Sequence, residues 1–462
     1  MIRLFRVFVP VATLTLLVSE ILLIISVFVL TTYAFLEFDP TVYLLYERGL
    51  VRILLVVLSF LVGLHLQDLY SQVLVKSRVA LMQQLSLVVG SAFLLQGTLS
   101  YVDSDLKLPL PIMLWGASLT VAAIYSWRVF FSAYALRVVG RDRLLLVGNS
   151  PLLEDIGAYT EEHPEAGIRV AGYIRECGSD DALPGGKILG PIASLRDIVQ
   201  ATQPRRIVVG LSERRNRAPL DDLLALRFSG YIVEEACSAY ERIRGRICLK
   251  ELRPSQLIYS GELGPRPQHV LYQNLVNVTL AVTGIAVSLP LMLLTALAIR
   301  LSSPGPVLYR QTRVGMNDVP FTLYKFRSMR VDAEAGTGPV WASRHDPRVT
   351  PVGRVIRKLR LDELPQLFNV LKGEMSLVGP RPERPEFVQA LAEQIPYYNQ
   401  RHFVRPGITG WAQINHKYGD TIEDTIAKLE YDLYYIKNMS VGLDTYIVFH
   451  TLKAMLLSRG AQ

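Results

Sequence analysis

Charge is scarce in this chain. Only 19% of its 462 residues are Asp, Glu, Lys or Arg, where soluble domains usually carry about a quarter. A single large soluble enzyme is therefore a poor description of the whole. Cysteine is scarcer still: Cys177, Cys237 and Cys248 stand apart, without metal-ligand spacing. That excludes a disulfide framework and points to a reducing compartment. No small-residue cleavage site follows the first apolar run, so that run is expected to stay as a helix. What is abundant is apolar residue, 50% of the total, and it is bunched. The length allows two or three structural units. A net charge of +8 asks for an anionic partner, either acidic lipid or a phosphate-rich substrate. Nucleic acid fits poorly. The basic residues lie beside apolar runs and inside compact motifs, not in a long aromatic-interleaved strip.

Four apolar stretches precede residue 140, at roughly 9–36, 49–70, 79–101 and 109–134. Each approaches the ~20 residues that span a bilayer core. Arg3 and Arg6, Lys76 and Arg78, and Arg137, Arg141 and Arg143 flank them on one side. Glu37, Asp39, Asp103 and Asp105 mark the other. The positive-inside rule then puts both ends of the bundle in the cytoplasm. A transport pathway would need ionisable residues within the spans, and Glu20 and His65 are thin support for one.

Residues 141–260 read as an α/β domain. "RLLLVG" (143–148), "IRVAGYI" (168–174), "RRIVVGL" (205–211) and "GYIVEEA" (230–236) are strand-like, and "PLLEDIGAYTEEH" is helical. Strands alternating with helices favour a parallel sheet. The first turn, Gly148-Asn149-Ser150, has one glycine where a dinucleotide fingerprint has three, so cofactor binding is not expected there.

A fifth apolar stretch runs over 272–300. Basic residues follow it, Arg300, Arg310, Arg313, Lys325, Arg327 and Arg330 among them, although four spans already leave the chain inside. Pro290 near its middle removes a helix hydrogen bond. A re-entrant helix is expected, broken at Pro290 and covered by protein, for example by Ser288 or a neighbouring helix.

Four clusters of Gly, Pro, Arg and acids come next. "SSPGPVLYRQTRVG" (302–315) carries Arg310 and Arg313, suited to lipid head groups or to substrate phosphate. "FTLYKFRSMR" (321–330) carries Lys325 and Arg327, which share one face of a strand and suit a diphosphate. In "GRVIRKLRLDELPQLFNVLKGEMSLVGPRPE" (353–383), Asp362 and Glu363 follow Arg354, Arg357, Lys358 and Arg360. A carboxylate serves as nucleophile in phosphoryl transfer, and a second one holds magnesium. The arginines are expected to keep Asp362 ionised. Arg381, between two prolines, is presented stiffly to an anion. "RHFVRPGITGWAQIN" (401–415) places Trp411 near Arg405, where the indole suits base stacking or the membrane interface. Residues 431–460 read as amphipathic helices on a membrane surface.

In that order, "SPGPVLYRQTRVG", "YKFRSM", "LDELPQL", "SLVGPRP" and "PGITGWAQIN" resemble the bacterial sugar transferase family, the monotopic phosphoglycosyl transferases. The resemblance covers about 270–462, and the whole chain is similar to the large, exopolysaccharide-type members. It implies attack by Asp362 on the β-phosphate of a UDP-sugar with release of UMP. The sugar-phosphate then passes to undecaprenyl phosphate. It implies Mg2+ on Glu363, substrate phosphates at Lys325, Arg357 and Arg381, and the membrane break at Pro290. Arg310, Arg313 and Asp432 fall on motif positions without an assigned role. Where the family carries a basic pair and an acid before the membrane helix, this chain has Gln273, Asn274 and Asn277.

The expected architecture is thus a membrane protein in three parts. Residues 1–140 form a four-helix transmembrane bundle, and 141–262 a degenerate Rossmann-like, CoA-binding-like cytoplasmic α/β domain. Residues 268–462 form a re-entrant-helix α/β catalytic domain on the membrane surface, its helix at 272–300. It is expected on the cytoplasmic face of a bacterial inner membrane, starting an exopolysaccharide or capsule repeat unit. A homodimer is one arrangement the sequence permits. A membrane-tethered nucleotide sensor and a polysaccharide-export component are the competing readings.

Overall fold

The structure is a computed structural model, and it describes residues 2–4, 7–71, 73–75, 77–135, 142–175, 183–211, 219–252, 264, 267–331, 333, 346–416 and 421–456. Two compact units follow one another, one holding Phe8–Ala236 and one holding Cys237–Gln462, with the first residues of the chain divided between them.

The first unit opens with four long helices: α1 (Val11–Phe35), α2 (Gly49–Leu66), α3 (Arg78–Val102) and α4 (Leu110–Phe130), the last continued by a π-turn to Ala135. All four are long and apolar enough to cross a membrane. They pack around Ile24, Phe28, Phe60, Val88 and Ile112 and leave Leu22, Leu54, Leu87 and Leu119 exposed outside. Glycines permit the close approaches: a Cβ on Gly116 would lie 2.5 Å from the Phe28 ring. Glu20 is not free to serve a pathway. Arg128 Nε lies 2.7 Å from its carboxylate, and the same guanidinium donates to the Leu69 carbonyl at 2.8 Å. Both side chains are sealed from solvent, so this pair ties α1, α4 and the end of α2 together.

The α/β domain of this unit has five parallel strands: β1 (Asp142–Gly148), β2 (Ile168–Ile174), β3 (Ile188–Gly190), β4 (Arg206–Gly210) and β5 (Ile232–Glu235), in the spatial order 3-2-1-4-5. Helices α5 (Pro151–Glu162), α6 (Leu195–Thr202) and α7 (Leu220–Phe228) connect them. This is the doubly wound arrangement in which ligands meet the turn after β1. Here that turn is closed by its own backbone. Ser150 N donates to Gly210 O at 3.0 Å, and Ser150 Oγ caps α5 by accepting from Leu152 N at 3.1 Å. Gly148 has φ +117°, and a Cβ there would sit 2.1 Å from Gly210 O.

The second unit begins with α8 (Ala236–Arg244), well before residue 268. The reason is chemical. Trp411 Nε1 donates to Gly245 O at 2.7 Å, and Leu249 N donates to Glu430 Oε1 at 3.0 Å. Lys437 Nζ pairs with Glu241 at 2.7 Å. Residues 237–252 are thus a strap across the C-terminal unit rather than the tail of the α/β domain.

Helix α9 (Pro267–Ser302) is one continuous helix of 36 residues with Pro290 inside it. The expected break is absent from the backbone. Nor does Ser288 cover the carbonyl freed at Ala286: its hydroxyl donates to Gly284 O at 2.6 Å. The helix is packed on both sides of its local breaker. Ala281 sits against Leu323, Val370 and Met375, and Met292 and Ile299 sit against Phe326 and Ile356. The opposite face, with Leu275, Val287, Leu294 and Leu301, is exposed. Neutral amides replace the expected basic pair and acid as pins. Asn277 Nδ2 donates to Ser376 Oγ at 3.0 Å and its Oδ1 accepts from Leu377 N at 3.1 Å. Gln273 Nε2 donates to Asp444 at 3.0 Å.

After α9 come the hairpin β6 (Leu308–Val314) and β7 (Pro320–Phe326), then α10 (Pro351–Lys358) and α11 (Gln366–Leu371). A parallel pair, β8 (Ser376–Val378) and β9 (Gly407–Thr409), brackets α12 (Pro385–Gln394). Helices α13 (Trp411–Asn415), α14 (Ile422–Asn438) and α15 (Val441–Leu456) complete the unit. Of the surface helices expected over 431–460, the first is instead core, while α15 keeps Val441, Phe449, Leu452 and Met455 exposed. Leu433, Tyr434, Tyr435 and Ile436 of α14 are all buried. The tyrosines that suggested an interface are packed inside with their hydroxyls available for bonding, as Tyr435 Oη does in donating to Asp444 at 2.8 Å.

Candidate active site

Short-range structure sets the two acids apart. Helix α10 is capped by Thr350, whose hydroxyl accepts from Gly353 N at 2.9 Å. It stops at Leu359, and Arg360 takes the left-handed conformation, φ +58°. That residue turns the chain into a 3₁₀ turn, Leu361–Glu363. Three residues per turn send neighbouring side chains about 120° apart. Glu363 therefore meets β7 and the Arg381 loop: its Oε1 accepts from Lys325 Nζ at 3.2 Å and from Arg381 Nη2 at 2.8 Å. Asp362 is 9% exposed, and its carboxylate accepts no hydrogen bond among the described residues.

Both acids line a cavity of about 490 Å³ in the C-terminal unit, with Lys325, Arg357, Arg360 and Arg381. The cations act on the two acids differently. Burial by itself raises Glu363, but Arg381 and Lys325 together hold it well below the ordinary carboxylate range. Burial, followed by the negative charge of Glu363, raises Asp362 against the pull of Lys325, Arg357 and Arg360. Arg357 and Arg360 thus pull Asp362 down as expected, but burial and the charge of Glu363 outweigh them. Burial also lowers Lys325, against the attraction of Glu363. The result is one carboxylate locked by two cations beside one that is accessible and more basic than usual. A buried, unbonded carboxylate of raised basicity has the character of an oxygen nucleophile.

The other arginines divide by what they touch. Arg357 lines the cavity with no hydrogen bond from its side chain among the described residues. Arg313 also lines the cavity, but its guanidinium is engaged: Nη1 donates to Pro382 O at 2.9 Å and lies 3.4 Å from Glu383, and Nη2 donates to Gln311 at 2.7 Å. Arg327 lies just beyond β7, and its guanidinium bonds Ser303 O and Pro304 O, each at 2.8 Å. It secures the Pro-Gly-Pro exit from α9, and it lines the cavity with Lys325. Arg310 lies outside the cavity lining, opposite Tyr324 in the hairpin register and 5.9 Å from that ring.

Sequence reasoning gave no role to a third group. Arg401, Tyr398 and Asp432 form a buried cluster behind Arg381. Arg401 Nη2 lies 2.8 Å from Asp432 and donates to the Arg381 carbonyl at 3.0 Å. Burial pushes the Asp432 carboxyl up to about 6, against the charge of Arg401. No periodicity pointed to these residues, although Asp432 stood on a family motif. Trp411 is not a base platform: it is buried, stacked on Tyr434 at 5.7 Å, and bonded to the strap. Two residues on, Gln413 faces the cavity. Its Nε2 donates to Ile408 O at 3.3 Å, and its buried oxygen has no partner among the described residues.

A magnesium ion needs oxygen donors, commonly one or two carboxylates completed by water and substrate phosphate. Glu363 Oε2 has no partner among the described residues and would supply one. No cluster of three acidic, histidine or cysteine side chains suited to a metal occurs among those residues, so such an ion would depend on bound phosphate for its remaining ligands.

Comparisons with known proteins match the unit that holds this cavity. A family model described as bacterial sugar transferase matches residues 268–458. A UDP-N-acetylgalactosamine-undecaprenyl-phosphate N-acetylgalactosaminephosphotransferase of Aeromonas hydrophila is 49% identical over 222 residues, 48% of this chain and 52% of the relative. The chain thus spans about half of that protein. A UDP-glucose:undecaprenyl-phosphate glucose-1-phosphate transferase of Xanthomonas campestris pv. campestris is 33% identical over 353 residues, 73% of this chain and 71% of the relative. An exopolysaccharide production protein of Rhizobium leguminosarum bv. phaseoli is 42% identical over 181 residues, 38% of this chain and 90% of the relative.

Proposed function

The chain belongs to the bacterial sugar transferase family, and from that premise we propose that it transfers a sugar-1-phosphate from a UDP-sugar to undecaprenyl phosphate, with Asp362 as the nucleophile. The observation that carries this reading is the pairing of an unbonded, more basic Asp362 with a Glu363 locked by Lys325 and Arg381, inside a cationic cavity. An Asp362 carboxylate oxygen attacks the β-phosphorus. The bond from that phosphorus to the bridging oxygen breaks, and the electron pair leaves with UMP. A phosphate oxygen of the polyprenyl acceptor then attacks the same phosphorus, restores the carboxylate and forms a lipid diphosphate sugar. Lys325, Arg357 and Arg381 offset charge on the phosphoryl oxygens. Magnesium, held by Glu363 and substrate phosphate, would add charge neutralisation.

The membrane setting has its own support. Both ends of α9 are fixed to this one α/β unit, by Asn277 on Ser376 near one end and by Ile299 on Phe326 near the other. A helix held near both ends on one polar unit suits entry from one membrane face better than a crossing. We place that face in the cytoplasm of a bacterial inner membrane, where nucleotide-sugars are made, at the first lipid-linked step of an exopolysaccharide or capsule unit. The decisive experiment is UMP release from a panel of UDP-sugars with undecaprenyl phosphate and magnesium, beside Asp362→Asn. Release that survives the substitution removes Asp362 as nucleophile; no release from any donor removes the reaction.

A further inference from the structure

We infer that Asp432 is a positioning residue that acts through Arg401 to fix Arg381 over Glu363, a role that presupposes the transfer reaction proposed above. Loop 380–383 has little structure of its own. Pro380 and Pro382 have no N–H, so the loop cannot bond itself into shape. Its carbonyls are captured from outside instead. Pro380 O accepts from Gly407 N at 2.8 Å, Arg381 O from Arg401 at 3.0 Å, Pro382 O from Arg313 at 2.9 Å, and Glu383 O from Val314 N at 2.9 Å. Two of the four captors are backbone and follow the sheet. Arg401 and Arg313 are long side chains that must be aimed.

Arg401 is aimed by Asp432. Asp432 is 1% exposed on α14, and its Oδ2 lies 2.8 Å from Arg401 Nη2, the nitrogen that also bonds Arg381 O. Arg401 Nη1 is fixed by donating to Tyr398 Oη at 2.8 Å. The remaining charges close to Asp432 are Glu383 and Lys428, of opposite sign. An ion pair sealed in an interior adds little net stability, because desolvation offsets the attraction. This one ends on the peptide that carries the anion-binding arginine. From α14 to the site the contacts run Asp432, Arg401, the Arg381 peptide, the Arg381 guanidinium and Glu363. A misplacement of about 1 Å at such a group is enough to cost on the order of a hundredfold in rate.

The test is a double-mutant cycle on the full chain in detergent or nanodiscs, with Asp432→Asn, Arg381→Ala and the double variant. UMP release gives kcat and KM, calorimetry gives the affinity for inorganic pyrophosphate, and melting reports folding. Asp432→Asn is expected to lower kcat about tenfold or more in the Arg381 chain and to change nothing further once Arg381 is alanine. A loss that multiplies with that of Arg381→Ala, or no loss at all, overturns the inference. If no donor releases UMP, the reaction itself fails. Pyrophosphate then decides the positioning role separately: weaker binding on Asp432→Asn in the Arg381 chain alone supports it, and equal binding ends it. Should Asp432→Asn fail to fold, Arg401→Lys, which keeps the charge but loses the fork, enters the same cycle with the same expected and overturning outcomes.

Discussion

Two turns in this molecule stand where phosphate chemistry is commonly found, and they are built in opposite ways. The turn after β1 follows a parallel strand and opens a helix, the usual place for a nucleotide. Its polar groups are already bonded to one another: Ser150 N to Gly210 O, Ser150 Oγ to Leu152 N. The turn after α10 is irregular and follows a left-handed arginine. Its Asp362 accepts no hydrogen bond among the described residues, and around it cations outnumber acids. Fold places a site only where the local groups are left unsatisfied. The α/β domain keeps the architecture of a binding domain while the turn after β1 bonds to its own neighbours.

The largest expected effect lies at Asp362. Asp362→Asn is expected to lower UMP release by on the order of a thousandfold or more, and a loss below tenfold would put the two turns on an equal footing. The same variant is expected to melt higher at neutral pH. Asp362 is raised in the folded chain, so its favourable contribution exists below the ordinary carboxylate pKa and is lost as pH rises through the raised value. Glu363 is lowered, so its contribution exists above the ordinary pKa and is lost as pH falls. Glu363→Gln should therefore melt lower at neutral pH, and equal shifts for the two neighbours would contradict the assignment.

A smaller effect belongs to Gly148→Ala, whose Cβ would meet Gly210 O at 2.1 Å. It should cost roughly 2–4 kcal/mol of stability, read by denaturant melting, while kcat per folded molecule stays unchanged. A selective loss of activity would reopen the α/β domain as a working site. Next, Arg357→Gln removes a cation that lowers Asp362, so the acid limb of the rate profile should move to higher pH. A limb that stays in place, or moves down, separates Arg357 from the nucleophile. The smallest effect is Ser150→Ala, about 1 kcal/mol for a lost helix cap, with no change in turnover.

Much of this was legible in the sequence where the signal is local. The strand 168–174 has the limits its β-branched pattern indicated, and the apolar helices stand where their composition placed them. Asp362 and Glu363 were found through dense motifs rather than through any periodicity. What was not legible depends on distant partners. An arginine in a motif does not reveal whether it will meet a ligand or a carbonyl. Arg313 and Arg327 meet Pro382 and Ser303, and these partners are brought in by the fold. Pro290 obeys no local rule, because packing along α9 outweighs the one hydrogen bond it removes. Tyrosine and lysine in α14 looked interfacial, yet that helix is buried, since its tyrosines find hydroxyl partners inside.

The strap over 237–252 also sets the order in which the molecule is completed. Its bonds join residues separated by 166, 181 and 196 positions. Contacts of such long range close late, after the entropy of the intervening loop has been overcome. During synthesis the strap leaves the ribosome first and waits, partnerless, until α13 and α14 follow. Arg381 emerges well before Arg401 and Asp432, so the nascent chain holds its cations before the residues that aim them. Catalytic competence should appear abruptly, once the last wall of the cavity has met the first segment of its own unit.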